Sequence, residues 1–170
     1  MRPLIILGSA RSEGNTRRAV DYLIQLNDCE IIDLNDWSFS YYDYEHRNLE
    51  DDFIRIIERV LQHDILIFAS PIYWYTMSAV MKTFFDRISD LLKIHKDKGR
   101  KLRGKTMYVV SCNGDAEDYP SFAKPFELSA DYLGMQYGGY THTWVSDGEL
   151  SAMAKQGLEQ LAHRLKGPSK

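Results

Sequence analysis

The chain has 170 residues, 44% hydrophobic and 26% charged, with a formal net charge of −3. Such proportions belong to an ordinary globular protein that can bury its own core in one domain, and the mild acidity gives no electrostatic reason to expect nucleic acid or an anionic membrane as partner. No apolar run is long enough to span a bilayer, and the two cysteines, Cys29 and Cys112, form neither a C-x-x-C pair nor a disulfide framework, which points to a reducing, cytoplasmic setting.

Strand and helix patterns alternate along the chain, the rhythm of parallel βαβ units. Residues 3–7 are an apolar run suited to a central strand covered on both faces. They lead into Gly8-Ser9-Ala10-Arg11-Ser12-Glu13-Gly14-Asn15-Thr16, and a helix over 15–26 follows. A strand, a hydroxyl-rich turn and a helix start make an anion site, because glycine lets the backbone approach and the helix N-terminus presents its amides. The same residues also suit a plain helix entry capped by Asn15 or Thr16.

Residues 29–34 read as a second strand near a sheet edge. The stretch 35–48 is irregular and carries Trp37, Phe39, Tyr41, Tyr42 and Tyr44, a set suited to a local packed cluster or to a ligand or subunit contact. A helix is expected over 49–63, then a buried third strand over 64–70 that ends at Pro71-Ile72-Tyr73-Trp74-Tyr75. In an open parallel sheet, ligands lie at the carboxyl ends of the strands, so the loops after the first and third strands should face each other. A helix over 78–93 follows. The basic connector 95–105 reads as a solvated loop. A fourth strand over 106–111 ends at Cys112-Asn113-Gly114. Helices over 119–133 and 148–165 flank a last strand over 135–143, which brings His142 and Trp144 to the same rim. The five histidines show no ligand spacing, so no metal site is expected.

Three segments in this order, Gly8-Ser9-x-Arg11-x-x-Gly14-Asn15-Thr16, Ser70-Pro71-Ile72-Tyr73-Trp74 and Met81-Lys82-x-Phe84-x-Asp86-Arg87, resemble the NADPH-dependent FMN reductase family of flavodoxin-like folds. The resemblance implies a three-layer α/β sandwich: a five-stranded parallel sheet, order 2-1-3-4-5, with helices on both faces. It would form a single FMN-binding domain over residues 1–166, with a loose tail over 167–170. It further implies that Ser9, Arg11, Gly14, Asn15 and Thr16 hold the FMN phosphate. Pro71, Ile72, Tyr73 and Trp74 would border the isoalloxazine ring, and Asn113 and Gly114 its pyrimidine end.

The residue chemistry agrees. A phosphate needs many donors in one place, and the first loop supplies amides, hydroxyls and a guanidinium. Neither a P-loop lysine nor a G-x-G-x-x-G fingerprint is present, and no arginine follows Cys112 to make a phosphocysteine loop. The expected activity is a ping-pong transfer of hydride from NADPH or NADH to the flavin, and then to a quinone, flavin, azo or nitro compound or metal ion. Positioning carries this chemistry, so no side chain is nominated as a catalytic acid or base. Arg11, Arg17 and Arg18 are candidates for a nicotinamide 2′-phosphate. Lys82 and Asp86 fit an i,i+4 pair. The family resemblance implies a homodimer or homotetramer, and clustered cysteines for an iron–sulfur centre are absent. The alternative is a flavodoxin-type electron carrier that docks to protein partners, against which the basic residues near the first loop argue.

Overall fold

A computed structural model describes residues 2–166; the tail expected at 167–170 lies outside the described residues. Strands β1 (Leu4–Leu7), β2 (Glu30–Asp33), β3 (Ile65–Pro71), β4 (Thr106–Asn113), β5 (Gln136–Ser146) and β6 (Glu149–Leu150) alternate with helices α1 (Asn15–Leu26), α2 (Phe53–Val60), α3 (Ala79–Lys93), α4 (Lys96–Arg100), α5 (Pro120–Leu133) and α6 (Ala152–Leu165). The sheet runs β2-β1-β3-β4-β5-β6. The first five strands are parallel to their neighbours, and β6 is antiparallel to β5.

The expected five-stranded parallel sheet is therefore corrected to a six-stranded mixed one. The cause is local. Asp147 and Gly148 both have positive φ, 52° and 81°, the backbone of a two-residue hairpin turn that Asp-Gly favours. The last strand consequently runs on to Ser146 and turns back, where a helix start at 148 was expected. The helix begins instead at Ala152, capped by Ser151, whose hydroxyl accepts from the Ala154 amide at 3.0 Å.

Each strand side feeds its own core. Leu4, Ile5, Ile6 and Leu7 are all fully buried, and alternation sends them to opposite faces. Leu4 and Ile6 join Phe53, Phe68, Phe84 and Phe126 under α2, α3 and α5. Ile5 and Leu7 join Ala19, Leu23, Leu158 and Leu161 under α1 and α6.

Two further expectations shift. The helix expected over 49–63 is only Phe53–Val60, because the acidic residues before it have other work. Asp52 accepts the Ser38 amide, and Asp51 accepts the amides of Ser40 and Phe53, each at 3.0 Å. The connector 95–105 is not simply a solvated loop. It contains α4, and Lys105 is buried, its ammonium donating to the carbonyls of Leu61 and His63 just past the end of α2. Those carbonyls lack helical partners, so the lysine satisfies what the helix leaves open.

Candidate active site

The carboxyl ends of β1, β3 and β4 meet around an open cleft of about 480 Å³, its mouth included, lined by Ser9, Arg11, Gly14, Asn15, Thr16, Pro71, Ile72, Tyr73, Cys112, Asn113 and Gly114. These are all the residues singled out in the sequence except Trp74, with Cys112 added. Parallel pairing explains the convergence: every strand of the set points its carboxyl end to the same edge, and the order reversal at β1 and β3 opens the crevice there.

The first wall is the loop from Gly8 to Thr16. Gly8 is tied to β3 through its amide, which donates to Ala69 at 2.9 Å. Its lack of a side chain is required, since a Cβ there would lie 2.8 Å from Met81 Cε. Ser78 caps α3 and its hydroxyl donates to the Gly8 carbonyl at 2.7 Å. Farther on, Ser9 Oγ accepts the Arg11 amide at 3.3 Å, and the Gly14 amide donates to the Arg11 carbonyl at 3.2 Å.

Gly14 is the N-cap of α1 and offers no side chain to its first-turn amides. Those amides therefore keep their capacity for a ligand, which answers the alternative that the loop is merely a capped helix entry. Ser9 and Thr16 are buried. Among the described residues, Arg11 pairs with no carboxylate, whereas Arg17 is bound to Asp21 at 2.7 Å and is held more firmly protonated by that contact.

The second wall leaves β3 at Pro71. Ile72 donates to the Cys112 carbonyl at 3.1 Å, and Tyr73 exchanges two backbone hydrogen bonds with Thr76. Between them Trp74 and Tyr75 form a tight turn with φ of 48° and 67°. Left-handed backbone is costly for aromatic residues and needs support from its surroundings. Tyr75 finds some by packing edge-on against Tyr119, ring centroids 5.1 Å apart. Trp74 instead projects into solvent, 91% exposed, so it stands beside the cleft and not on its wall.

The third wall is the end of β4. Burial pushes the Cys112 thiol above its ordinary pKa, which makes it a poor nucleophile. The Gly114 amide donates to the side-chain oxygen of Asn113 at 2.8 Å, and Asn113 in turn donates to Asp115 at 3.3 Å. Behind this lip lies a polar chain. Tyr140 donates to Asp118 at 2.9 Å and lies 2.7 Å from Ser111 Oγ. Ser111 lies 2.8 Å from His142 Nδ1, and His142 Nε2 lies 3.3 Å from the Asp115 carbonyl. Parallel pairing of Ser111 with His142 brings the histidine to the rim, as expected, stacked on Trp144.

Supporting residues were less visible in the sequence. Asn35, on the 3-10 turn Leu34–Asp36 after β2, donates to the Ser9 carbonyl at 2.6 Å and to Ser12 Oγ at 3.2 Å. Nothing in its local pattern marks it, although an Asp-x-Asn turn after a strand is a generic signal. Arg87 is fully buried, pairs with Asp90 on its own helix and ties α3 to Asp51 and the Ser40 carbonyl. Lys82 and Asp86 form the expected pair at 2.5 Å. In the aromatic stretch, Trp37 and Phe39 pack on the core while Tyr41 and Tyr44 are exposed.

Comparison with known proteins agrees with this geometry. Residues 1–137 match the profile of the NADPH-dependent FMN reductase family. The chain is 35% identical over 150 residues to YwqN of Bacillus subtilis, a protein named as an NAD(P)H-dependent FMN-containing oxidoreductase, covering 82% of this chain and 83% of that one. Among solved structures it resembles the Trp repressor binding protein of B. subtilis, with TM-score 0.76, 31% identity and coverage of 99% and 100%. It shares its fold with an FMN-dependent NADH-azoreductase of Bacillus anthracis, TM-score 0.70 at 13% identity, covering 97% and 99%. No helix among the described residues is long and apolar enough to cross a membrane. The flavodoxin-like fold, the three convergent strand ends and the profile match together mean that the chain belongs to the NADPH-dependent FMN reductase family, whose members are FMN-dependent NAD(P)H oxidoreductases.

Proposed function

We propose that the cleft holds FMN, with the phosphate in the loop from Ser9 to Thr16 and the ring between the lips Pro71–Tyr73 and Asn113–Gly114. The observation that carries this reading is the convergence on one cleft of residues from three strand ends far apart in the chain. The donor set suits a phosphate monoester: first-turn amides of α1 without a side-chain cap, the buried hydroxyls of Ser9 and Thr16, and the Arg11 guanidinium. Pro71 and Ile72 supply an apolar wall for a flat ring. Trp74 borders the mouth from outside.

Bound there, FMN supplies two-electron chemistry between a nicotinamide and a second acceptor. The chain's own residues bind, orient and shield. Arg11 and the α1 amides neutralise the phosphate, while Pro71 and Ile72 keep water from one side of the cleft. The Asn113–Gly114 lip faces the position of the polar pyrimidine edge. NADPH or NADH enters through the open mouth, and a quinone, flavin, azo or nitro compound or metal ion follows it into the same space. Arg18, which has no carboxylate partner among the described residues and lies beside the Asp147–Gly148 hairpin, is a candidate for the 2′-phosphate.

We also infer one domain over residues 1–166, a cytoplasmic setting and a homodimer or homotetramer. The exposed Tyr41, Tyr44, Trp74 and Tyr75 suit a subunit contact, which light scattering tests. For the cofactor, acid release from the purified protein followed by identification should yield FMN, and FMN-loaded protein should oxidise NADPH or NADH with a quinone. A colourless protein that takes up no added FMN overturns the reading. Replacing both Ser9 and Thr16 with alanine should weaken FMN binding with the fold intact; unchanged affinity removes the phosphate assignment.

A further inference from the structure

Two cations stand where helix stability would place acids. Arg18 is the fourth residue of α1 and Lys155 the fourth of α6. A helix N-terminus carries about half a positive charge, so a carboxylate is welcome there and a cation is not. Neither helix has an acidic residue in its first turn. Among the described residues neither cation pairs with a carboxylate, although Arg17, next to Arg18, holds Asp21 at 2.7 Å. Lys155 only leans over the ring of Tyr22, 6.0 Å from its centre. The cations of the basic connector differ: Arg100 closes α4, and Arg103 lies against Gly134 at the C-cap of α5, where the dipole favours positive charge.

Arg18 and Lys155 meet in one groove of about 940 Å³, its mouth included, with buried Leu150 as an apolar part of its lining. The groove shares two walls with the cleft. One is α1: Asn15 and Thr16 line the cleft, and Arg18, whose amide donates to the Gly14 carbonyl at 3.3 Å, lines the groove. The other is β5. Trp144 pairs with Asn113 at the third lip, and the strand runs two residues farther to Ser146, about 7 Å at the usual rise. There the hairpin turns, and Arg18 Nη1 lies 3.8 Å from where a Cβ on Gly148 would sit. Of the carboxylates lining the groove, Asp21 is neutralised by Arg17, which leaves Glu149 against two cations.

We propose that this groove takes the 2′-phosphoadenosine end of NADPH, and that Arg18 and Lys155 select NADPH over NADH. The proposal rests on the reading of the cleft as the flavin site. A phosphate monoester carries close to two negative charges at neutral pH, and here it would meet two cations and the positive ends of two helices. The hydroxyl of NADH in the same place offers no charge to offset theirs. That difference is the selectivity. The shared walls supply the path: with the nicotinamide at the mouth of the cleft, the adenosine end follows α1 to the hairpin. Arg18 and Lys155 set which nicotinamide is held and take no part in the hydride step.

Calorimetry in saturating FMN, with adenosine 2′,5′-bisphosphate and adenosine 5′-monophosphate as probes, tests this without turnover. The bisphosphate should bind about tenfold to a hundredfold tighter, the range for hydrogen bonds to a charged group. Arg18→Ala and Lys155→Ala should each remove most of that preference. In turnover they should raise the KM for NADPH and leave kcat and the KM for NADH unchanged. Their denaturation midpoints should hold or rise, because each removes a cation from a helix N-terminus. Equal affinity for the two probes, a preference that survives in the double variant, or a fall in the midpoints overturns the proposal. Failure of the flavin reading looks different. The Ser9 and Thr16 double alanine variant should lower FMN uptake and keep the bisphosphate preference, whereas Arg18→Ala and Lys155→Ala should lose the preference and keep FMN uptake.

Discussion

The side-chain amide of Asn35 donates to the backbone carbonyl of Ser9 at 2.6 Å and so joins the loop after β2 to the loop after β1. Its own amide is held by Asp33 at 3.0 Å, and it reaches Ser12 as well. The pair sets the curvature of the loop proposed to take the phosphate, without lining the cleft itself.

Asn35→Ala should therefore weaken FMN binding by about threefold to tenfold, the net weight of a hydrogen bond. Asn35→Asp should weaken it more, because a carboxylate can only accept and would face both a carbonyl and the phosphate. Fluorescence titration of the apoprotein measures both. Equal affinity in all three proteins would mean that the loop holds its shape unaided.

Arg87 is a fully buried cation. Its guanidinium bonds Asp90 at 2.7 Å, Asp51 and the Ser40 carbonyl, and lies 4.7 Å from the centre of the Phe53 ring. Both Arg87 and Asp90 are buried. Arg87→Met should cost about 3–5 kcal/mol, because it strands Asp90 without its charge partner. Arg87→Lys should recover only part of this, since an ammonium cannot fork between Asp51 and Asp90. Urea denaturation gives the difference. A loss below about 1 kcal/mol would place the pair among ordinary surface bridges.

The same contact predicts an acid limit. Burial works to raise the Asp51 carboxyl, but hydrogen bonds from Arg87 and from the amides of Ser40 and Phe53 outweigh it and hold the group below the ordinary carboxylate range. Unfolded, Asp51 titrates at its ordinary value; folded, it titrates lower. Its contribution is thus complete above the ordinary value and is lost as pH falls through the folded one. Stability measured against pH should drop on the acid side, and Asp51→Asn should flatten that drop while lowering stability at neutral pH. An unchanged acid slope in the variant would assign the limit to other carboxylates.

How much of this was legible depends on the range of the cause. Leu4 to Leu7 announced a central strand because four apolar residues in a row leave no face for water, and Gly8 to Thr16 announced an anion loop because its chemistry is local. Asp147-Gly148 was equally local, and the hairpin signal lost to the helical pattern that follows it. Arg87 and His142 are another matter. One was readable as a helix residue and the other as a rim histidine, but their partners lie up to 47 residues away and only packing brings them together. Trp74 reads in the sequence as an aromatic face for a ring wall, and the left-handed turn that sets it in solvent beside the cleft has no local signal.

That turn yields the last prediction. Trp74 has φ of 48° and is almost wholly exposed, so its side chain returns little burial for the backbone it occupies. In left-handed backbone a Cβ costs about 1–2 kcal/mol relative to glycine. Alanine keeps that Cβ; glycine does not. Trp74→Gly should therefore be more stable than Trp74→Ala by up to about 1 kcal/mol once glycine's greater freedom in the unfolded chain is set against it. On ordinary extended or helical backbone the order is the opposite. Denaturation midpoints of the two variants decide it, and a more stable alanine variant would mean that Trp74 does not hold the left-handed turn with Tyr75.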